Sequence, residues 1–248
     1  MENVYIEGIT SVSALIKAAD AGCARRKIIR VLFDSAKLHG DFRRADFLKK
    51  ASARLGFEFC PVSAETIASH CTGRTHGGIC AEVSPAEYSE LSSALIPENG
   101  FCVLLDGAED PYTLGNCIRT LWCCGADALI LPHRLPDGAD GTVCRSSAGT
   151  SELMPIFLSD ADKAVALFRG KNYKTVCAGI RDSVPCSEAE LSRPILLIVG
   201  GEKRGISAKT ASECDITVRI PYGREFMGSM STSSAIAVLA YEIMRRTL

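Results

Sequence analysis

The chain has 248 residues, 28 basic and 29 acidic side chains for a net charge of −1, and 12 cysteines. Apolar content of 47% against 23% charged residues excludes a disordered chain, and near-neutrality excludes a protein that is basic throughout. At about 150 residues per domain the length predicts one large or two small domains, each able to bury a core.

In chain order, Val4–Ile6 predicts a short strand, and Ser11–Ala21 a helix that Gly22 is placed to end. Ile28–Phe33 is a strand rich in branched apolar residues. Asp41 is placed to cap a helix running to Leu55, where Gly56 stops it. Phe57–Cys60 and Ile79–Val83 are further strands of a first α/β domain, residues 1–95. Ile96-Pro97-Glu98-Asn99-Gly100 reads as a linker. A second domain, residues 98–248, has apolar strands at Phe101–Leu105, Ala128–Leu131, Pro155–Leu158, Thr175–Ala178, Ile195–Val199 and Ile216–Ile220. Helices fill most of the gaps, at Leu114–Cys124, Asp160–Arg169, Ile206–Glu213 and Thr232–Arg246. Continuous apolar strands alternating with helices predict a parallel sheet covered on both faces.

No apolar run reaches the ~20 residues of a membrane span. The N-terminal residues show no basic region followed by an apolar stretch, so no signal peptide is expected. The cysteines sit mostly inside apolar runs (Cys102, Cys123, Cys124, Cys177), which predicts buried free thiols in a reducing cytoplasm. His70, Cys71, His76 and Cys80 cluster, but their spacing fits no common zinc pattern and no metal is expected. Charge is unevenly placed: Lys17 to Arg54 has 11 basic and 4 acidic residues, a net of +7, while residues 98–248 carry −2. Arg25, Arg26, Lys27, Arg43 and Arg44 in that segment are candidates for phosphate contact, against the commoner reading of a solvated helix face.

Three motifs carry candidate chemistry. In Asp106-Gly-Ala-Glu-Asp110-Pro111-Tyr-Thr113-Leu-Gly115-Asn116-Cys-Ile-Arg119, a buried strand opens into a helix, with Arg119 about one turn in. Its guanidinium fork suits a phosphate or a developing oxyanion, and the alternative is an ion pair with Glu109 or Asp110. In Ile198-Val199-Gly200-Gly201-Glu202-Lys203-Arg204-Gly205, a strand ends in a glycine pair that exposes backbone to a flat ligand such as a nucleoside. It matches neither a P-loop nor GxGxxG. The third motif runs from Ile220 to Ala235, with hydroxyls at Ser229, Ser231, Thr232 and Ser233 before an apolar helix. Such hydroxyls are caps by default, but the run is longer than one cap needs. Between them, Cys144-Arg145-Ser146-Ser147-Ala148-Gly149-Thr150 reads as a small-residue turn.

In this order and near these separations, the motifs resemble the SpoU/TrmH family of the SPOUT superfamily, S-adenosylmethionine-dependent RNA ribose 2′-O-methyltransferases. The resemblance covers almost the whole chain. Val4-Tyr-Ile-Glu7-Gly8 and His76-Gly-Gly78 match the two ends of the family's N-terminal RNA-binding domain. It implies a SPOUT domain with a deep trefoil knot, S-adenosylmethionine as cofactor, and a homodimer with the active site near the subunit interface. Cofactor contacts fall by matching positions on Gly200, Ile220 and Met230, with Ala178, Gly179 and Gly201 beside them. Arg119 would act at the ribose oxygen and adjacent phosphate, Glu202 would orient Arg119, and Ser229 and Ser231 would face RNA or the arginine. Thr113, an RNA contact by position, stands where the family has Asn, and so does Ser231; one extra residue separates Ile220 from Met230. The two missing Asn motivate one alternative, a catalytically degenerate RNA-binding or assembly factor; a base methyltransferase is another, against which the Arg119 and Glu202 pair argues. A cytoplasmic location and no membrane partner complete the expectation.

Overall fold

Alternating strands and helices organise the chain into two units, residues 1–87 with 137–153 and residues 88–136 with 154–248. The computed structural model describes residues 4–73, 75–107, 109–134, 138–201 and 205–246.

The first unit is built on a four-stranded sheet of β1 (Val4–Glu7), β2 (Ile28–Asp34), β3 (Glu58–Val62) and β4 (Ile79–Val83), in the order β1-β4-β2-β3. β4 runs antiparallel to both β1 and β2, and β3 is parallel to β2. Helix α1 (Ile9–Asp20) buries Val12, Leu15 and Ile16, the i, i+3, i+4 stripe of an amphipathic helix. Helix α2 (Phe42–Leu55) buries Ala45, Leu48 and Ala51 and ends at Gly56 in the left-handed conformation, φ 77°. Asp41 holds the cap position of α2, but its carboxylate pairs with Arg44 at 2.8 Å instead of accepting a backbone N–H. Helix α3 (Ala64–His70), capped by the Ser63 hydroxyl accepting from Thr66 N, has no counterpart in the sequence reading.

The segment that reads as a small-residue turn forms α5 (Asp140–Ser146) and a 3-10 turn at Thr150–Glu152. It groups with the first unit, although the sequence order puts it in the second domain. The reason is a set of partners more than a hundred residues away in sequence. Arg26 bonds Glu152 at 3.0 Å and Asp140 at 3.3 Å, Arg145 pairs with Glu7, Arg25 donates to the Ser151 carbonyl, and Cys144 enters the core beside Ile6 and Leu15.

The second unit holds an eight-stranded sheet in which every pair is parallel. Its strands are β5 (Ser89–Glu90), β6 (Phe101–Asp106), β7 (Ala128–Leu131), β8 (Ile156–Leu158), β9 (Lys174–Ala178), β10 (Val184–Pro185), β11 (Ile195–Gly200) and β12 (Ile216–Arg219). Their order is β10-β12-β9-β11-β6-β7-β8-β5, so the predicted parallel sheet is present. β6, β7 and β11 are buried along nearly their whole length, as strands covered on both faces must be. Leu104, Ile130, Leu196 and Ile198 form one core with Phe168, and each contributes about 1.5–3 kcal/mol by leaving water. Helices α4 (Pro111–Cys123), α6 (Ala161–Arg169), α7 (Ala208–Glu213) and α8 (Thr232–Arg245) complete the unit. α7 begins two residues later than the sequence predicts, because Ser207 caps it by accepting from Thr210 N at 3.0 Å. No helix among the described residues is long and apolar enough to cross a membrane. All cysteines are free, and Cys102, Cys124 and Cys177 are buried as predicted, whereas Cys123 is exposed on α4.

Candidate active site

From β6 the chain proceeds outward through β7 and β8, then crosses back to β9 and β11 on the other side of β6. The strand order therefore reverses at the β6–β11 pair, and ligands of open α/β sheets bind at the carboxyl ends of strands near such a point. Beside that point, on the β11 side, a cavity of about 330 Å³ is lined from the ends of β9, β11 and β12 and from the loop leading into α8. The volume falls in the range of small-molecule sites.

All six positions expected at the cofactor line this cavity: Ala178 and Gly179 at the end of β9, Gly200 and Gly201 at the end of β11, Ile220 after β12, and Met230 before α8. Ser229 and Ser231 line it too. The backbone makes its floor. Gly201 N donates to the Asp106 carbonyl at 2.6 Å, and a side chain on Gly201 would overlap the Gly107 backbone. Gly107 itself has φ +103°, a conformation glycine adopts without strain. A Cβ on Gly200 would lie 2.7 Å from Ile206 N. The glycine pair is thus required by the close approach of two backbone turns. Burial, with a smaller contribution from the charge of Asp162, holds the Asp106 carboxyl at the end of β6 above the usual carboxylate range.

Ser231 is the N-cap of α8: its hydroxyl accepts from Ser234 N at 3.3 Å and lies 2.9 Å from Ser234 Oγ. Thr232 Oγ1 donates to the Gly200 carbonyl, joining α8 to the glycine turn. Across the loop, Met230 N donates to the Tyr222 hydroxyl at 3.0 Å.

The residues of the first motif lie apart from the cavity lining. Asp110 caps α4, accepting from Thr113 N at 2.7 Å, and Pro111 occupies the first turn. Because α4 begins at Pro111 and not Leu114, Arg119 sits more than two turns into the helix instead of one. Arg119 is exposed, has no ion pair among the described residues and does not line the cavity. The alternative of a pair with Asp110 is not realised: that carboxylate caps the start of α4, more than two turns from Arg119. Glu202 lies outside the described residues.

In the first unit, Lys27, Arg43 and Arg44 are exposed. Arg26 is not: it is 7% exposed and its guanidinium is committed to Glu152 and Asp140. Arg25 likewise turns a guanidinium nitrogen inward to Ser151. These two positions correct the sequence expectation, since a run of basic letters does not separate a solvated cation from one paired inside. Conversely, the sequence missed Tyr222, Ile180 and Arg219 as lining residues, whereas Thr232, one of the hydroxyls in excess of a single cap, does line the cavity.

The model of the SpoU rRNA methylase family matches residues 100–241, more than half of the chain. The chain belongs to the SpoU rRNA methylase family. A Staphylococcus saprophyticus protein, provisionally named a TrmH family tRNA/rRNA methyltransferase, is 25% identical over 177 residues, covering 69% of this chain and 71% of that one. Among solved structures, an AdoMet-bound rRNA methyltransferase from Sinorhizobium meliloti superposes with a TM-score of 0.83 at 22% identity, over 99% of this chain and 88% of that one. An RNA 2′-O ribose methyltransferase superposes with a TM-score of 0.77 at 21% identity, over 99% and 90%. At such identities the likeness is one of fold, which this SpoU family member shares along almost its whole length.

Proposed function

We propose that the protein is an S-adenosylmethionine-dependent RNA methyltransferase acting on a ribose 2′-hydroxyl of ribosomal or transfer RNA. The observation that carries this reading is the convergence of the three cofactor-matched positions, Gly200, Ile220 and Met230, and the three expected beside them on one cavity at the carboxyl ends of the parallel strands β9, β11 and β12. The residues present fit the group. Gly179, Gly200, Gly201 and Gly205 line the cavity with backbone alone, and apolar side chains such as Val199, Ile206 and Leu239 beside them suit a flat nucleoside. Ala178, Gly179, Gly200, Gly201, Ile220 and Met230 would hold the cofactor, which supplies an electrophilic methyl group on a sulfonium.

The ribose oxygen must be brought in line with that methyl group and must lose its proton. Arg119 has the chemistry to grip the adjacent phosphate and stabilise developing negative charge on the oxygen, but a guanidinium is not a base. Its task is positioning and charge stabilisation, with Glu202 orienting it and a phosphate oxygen as proton acceptor. Ser229 and Thr113 would contact RNA or the arginine, while Lys27, Arg43 and Arg44 offer phosphate contacts in the first unit. The same reading carries a deep trefoil knot, a homodimer that brings the active site near the subunit interface, an RNA-binding role for the first unit and work in the cytoplasm.

Calorimetry with S-adenosylmethionine, followed by nucleoside mass spectrometry of RNA from cells with and without the gene, tests the proposal. Cofactor binding and one ribose methyl lost on deletion are expected. A methyl lost from a base instead overturns the ribose assignment, and no binding with no lost methyl overturns the enzyme reading.

A further inference from the structure

We propose that Tyr222 is a positioning residue for the cofactor: its hydroxyl staples the loop that forms one wall of the cavity. This rests on the reading of the cavity as the S-adenosylmethionine site.

The loop runs from Pro221 to Met230 and contains neither helix nor strand. Both of its ends line the cavity, through Ile220 and Tyr222 on one arm and Ser229 and Met230 on the other. Its tip stands in solvent, with Phe226 65% and Met227 104% exposed. Burial therefore holds little of it, and few buried contacts mark a segment of low local stability. Among the described residues, the bond from Met230 N to the Tyr222 hydroxyl is the one that joins the two arms. A ring contact backs it: Phe226 lies 6.3 Å from the Tyr222 ring and folds so close to Gly228 that a Cβ there would lie 2.6 Å from the ring.

The phenol is suited to this work. Its oxygen accepts from Met230 N while its ring forms part of the wall, so one side chain ties the second arm to the first. Without the bond, a ligand seated between Ile220 and Met230 would have to order the loop as it bound, at the cost of its own affinity.

Tyr222→Phe removes the hydroxyl and keeps the ring. The expected result is a rise of about three- to ten-fold in the Kd and KM for S-adenosylmethionine, the size of one lost hydrogen bond. The kcat at saturating cofactor, the KM for RNA and the Tm stay unchanged, and Met230 amide exchange in the free protein becomes faster. A purely structural role would lower Tm and kcat together. If the wild-type protein binds cofactor and the variant binds it equally well or more tightly, the inference fails alone. If the wild-type protein binds no S-adenosylmethionine, the reading of the cavity fails and takes the inference with it.

Discussion

Arg26→Met tests the account of the first unit most directly. The Arg26 and Glu152 side chains are each 2% exposed and lie 3.0 Å apart, while Asp140, at 3.3 Å, is 32% exposed. At an effective dielectric constant of about 20, the Arg26–Glu152 attraction is about 5 kcal/mol before desolvation is subtracted. Removing the guanidinium leaves the Glu152 carboxylate buried with, among the described residues, only the Ser151 hydroxyl, at 3.2 Å, to solvate it. Breaking one side of such a pair typically costs about 3–5 kcal/mol. Asp140 is exposed enough to hydrate and adds little. Because two units need not unfold together, the readout is native-state hydrogen exchange at the β2 and β4 amides, which reports the opening free energy of the first unit. The single variant should lose about 3–5 kcal/mol there, and Arg26→Met with Glu152→Met should recover most of it, since apolar replacement of a whole buried pair is often neutral. The double variant should also keep the salt dependence of RNA binding, whereas a lost phosphate contact would lower its slope by about one unit. A single-variant cost below about 1 kcal/mol, or a double variant no better than the single, refutes the reasoning.

Ser231→Ala should destabilise the second unit by about 1 kcal/mol through loss of the α8 cap, and Ser231→Asn, an equally good cap, should restore it; equal stability of all three proteins in urea denaturation would show that the cap carries nothing. The hydrogen bond to Glu90 raises the His133 imidazole above its ordinary range, with Glu90 and Asp160 charges adding to it. The stabilisation it gives is therefore complete below the unfolded value of about 6.5 and is lost as pH rises through the folded value. An NMR titration should place the His133 midpoint above that of Glu90→Gln, and coincident midpoints would refute the pairing. Arg119→Ala should lower kcat by about 10²–10³-fold while leaving Tm and cofactor Kd unchanged, as expected for an exposed group acting on developing charge; retained turnover in a methyl-transfer assay would remove Arg119 from the mechanism.

The sequence predicted the parallel sheet because strands buried on both faces are continuous apolar runs, and β6, β7 and β11 can be read without knowing their neighbours. It also located the cavity, since the glycine pair after β11 and the hydroxyl run before α8 are local patterns. Elements decided by distant partners were illegible. α5 looked like a turn because its hold on the first unit depends on Arg26 and Glu7. The basic run from Lys17 to Arg54 looked uniform, yet Arg26 is buried and Arg43 is exposed, a difference that only tertiary packing makes. Ser231 is a middle case. Its replacement of Asn read as a lost amide, but Ser and Asn are equivalent as helix caps, so the structural task of that position is preserved.

The discontinuity of the first unit has a consequence for the order in which the chain takes shape during synthesis. Residues 4–83 emerge from the ribosome first, with a cation at position 26 whose buried carboxylate partner, Glu152, is made 126 residues later. The first unit is therefore unfinished when its last N-terminal strand appears. β6, α4 and β7 of the second unit must be translated before α5 and Glu152 can close it, and an N-terminal fragment cut at residue 95 would expose an interior meant for a later segment.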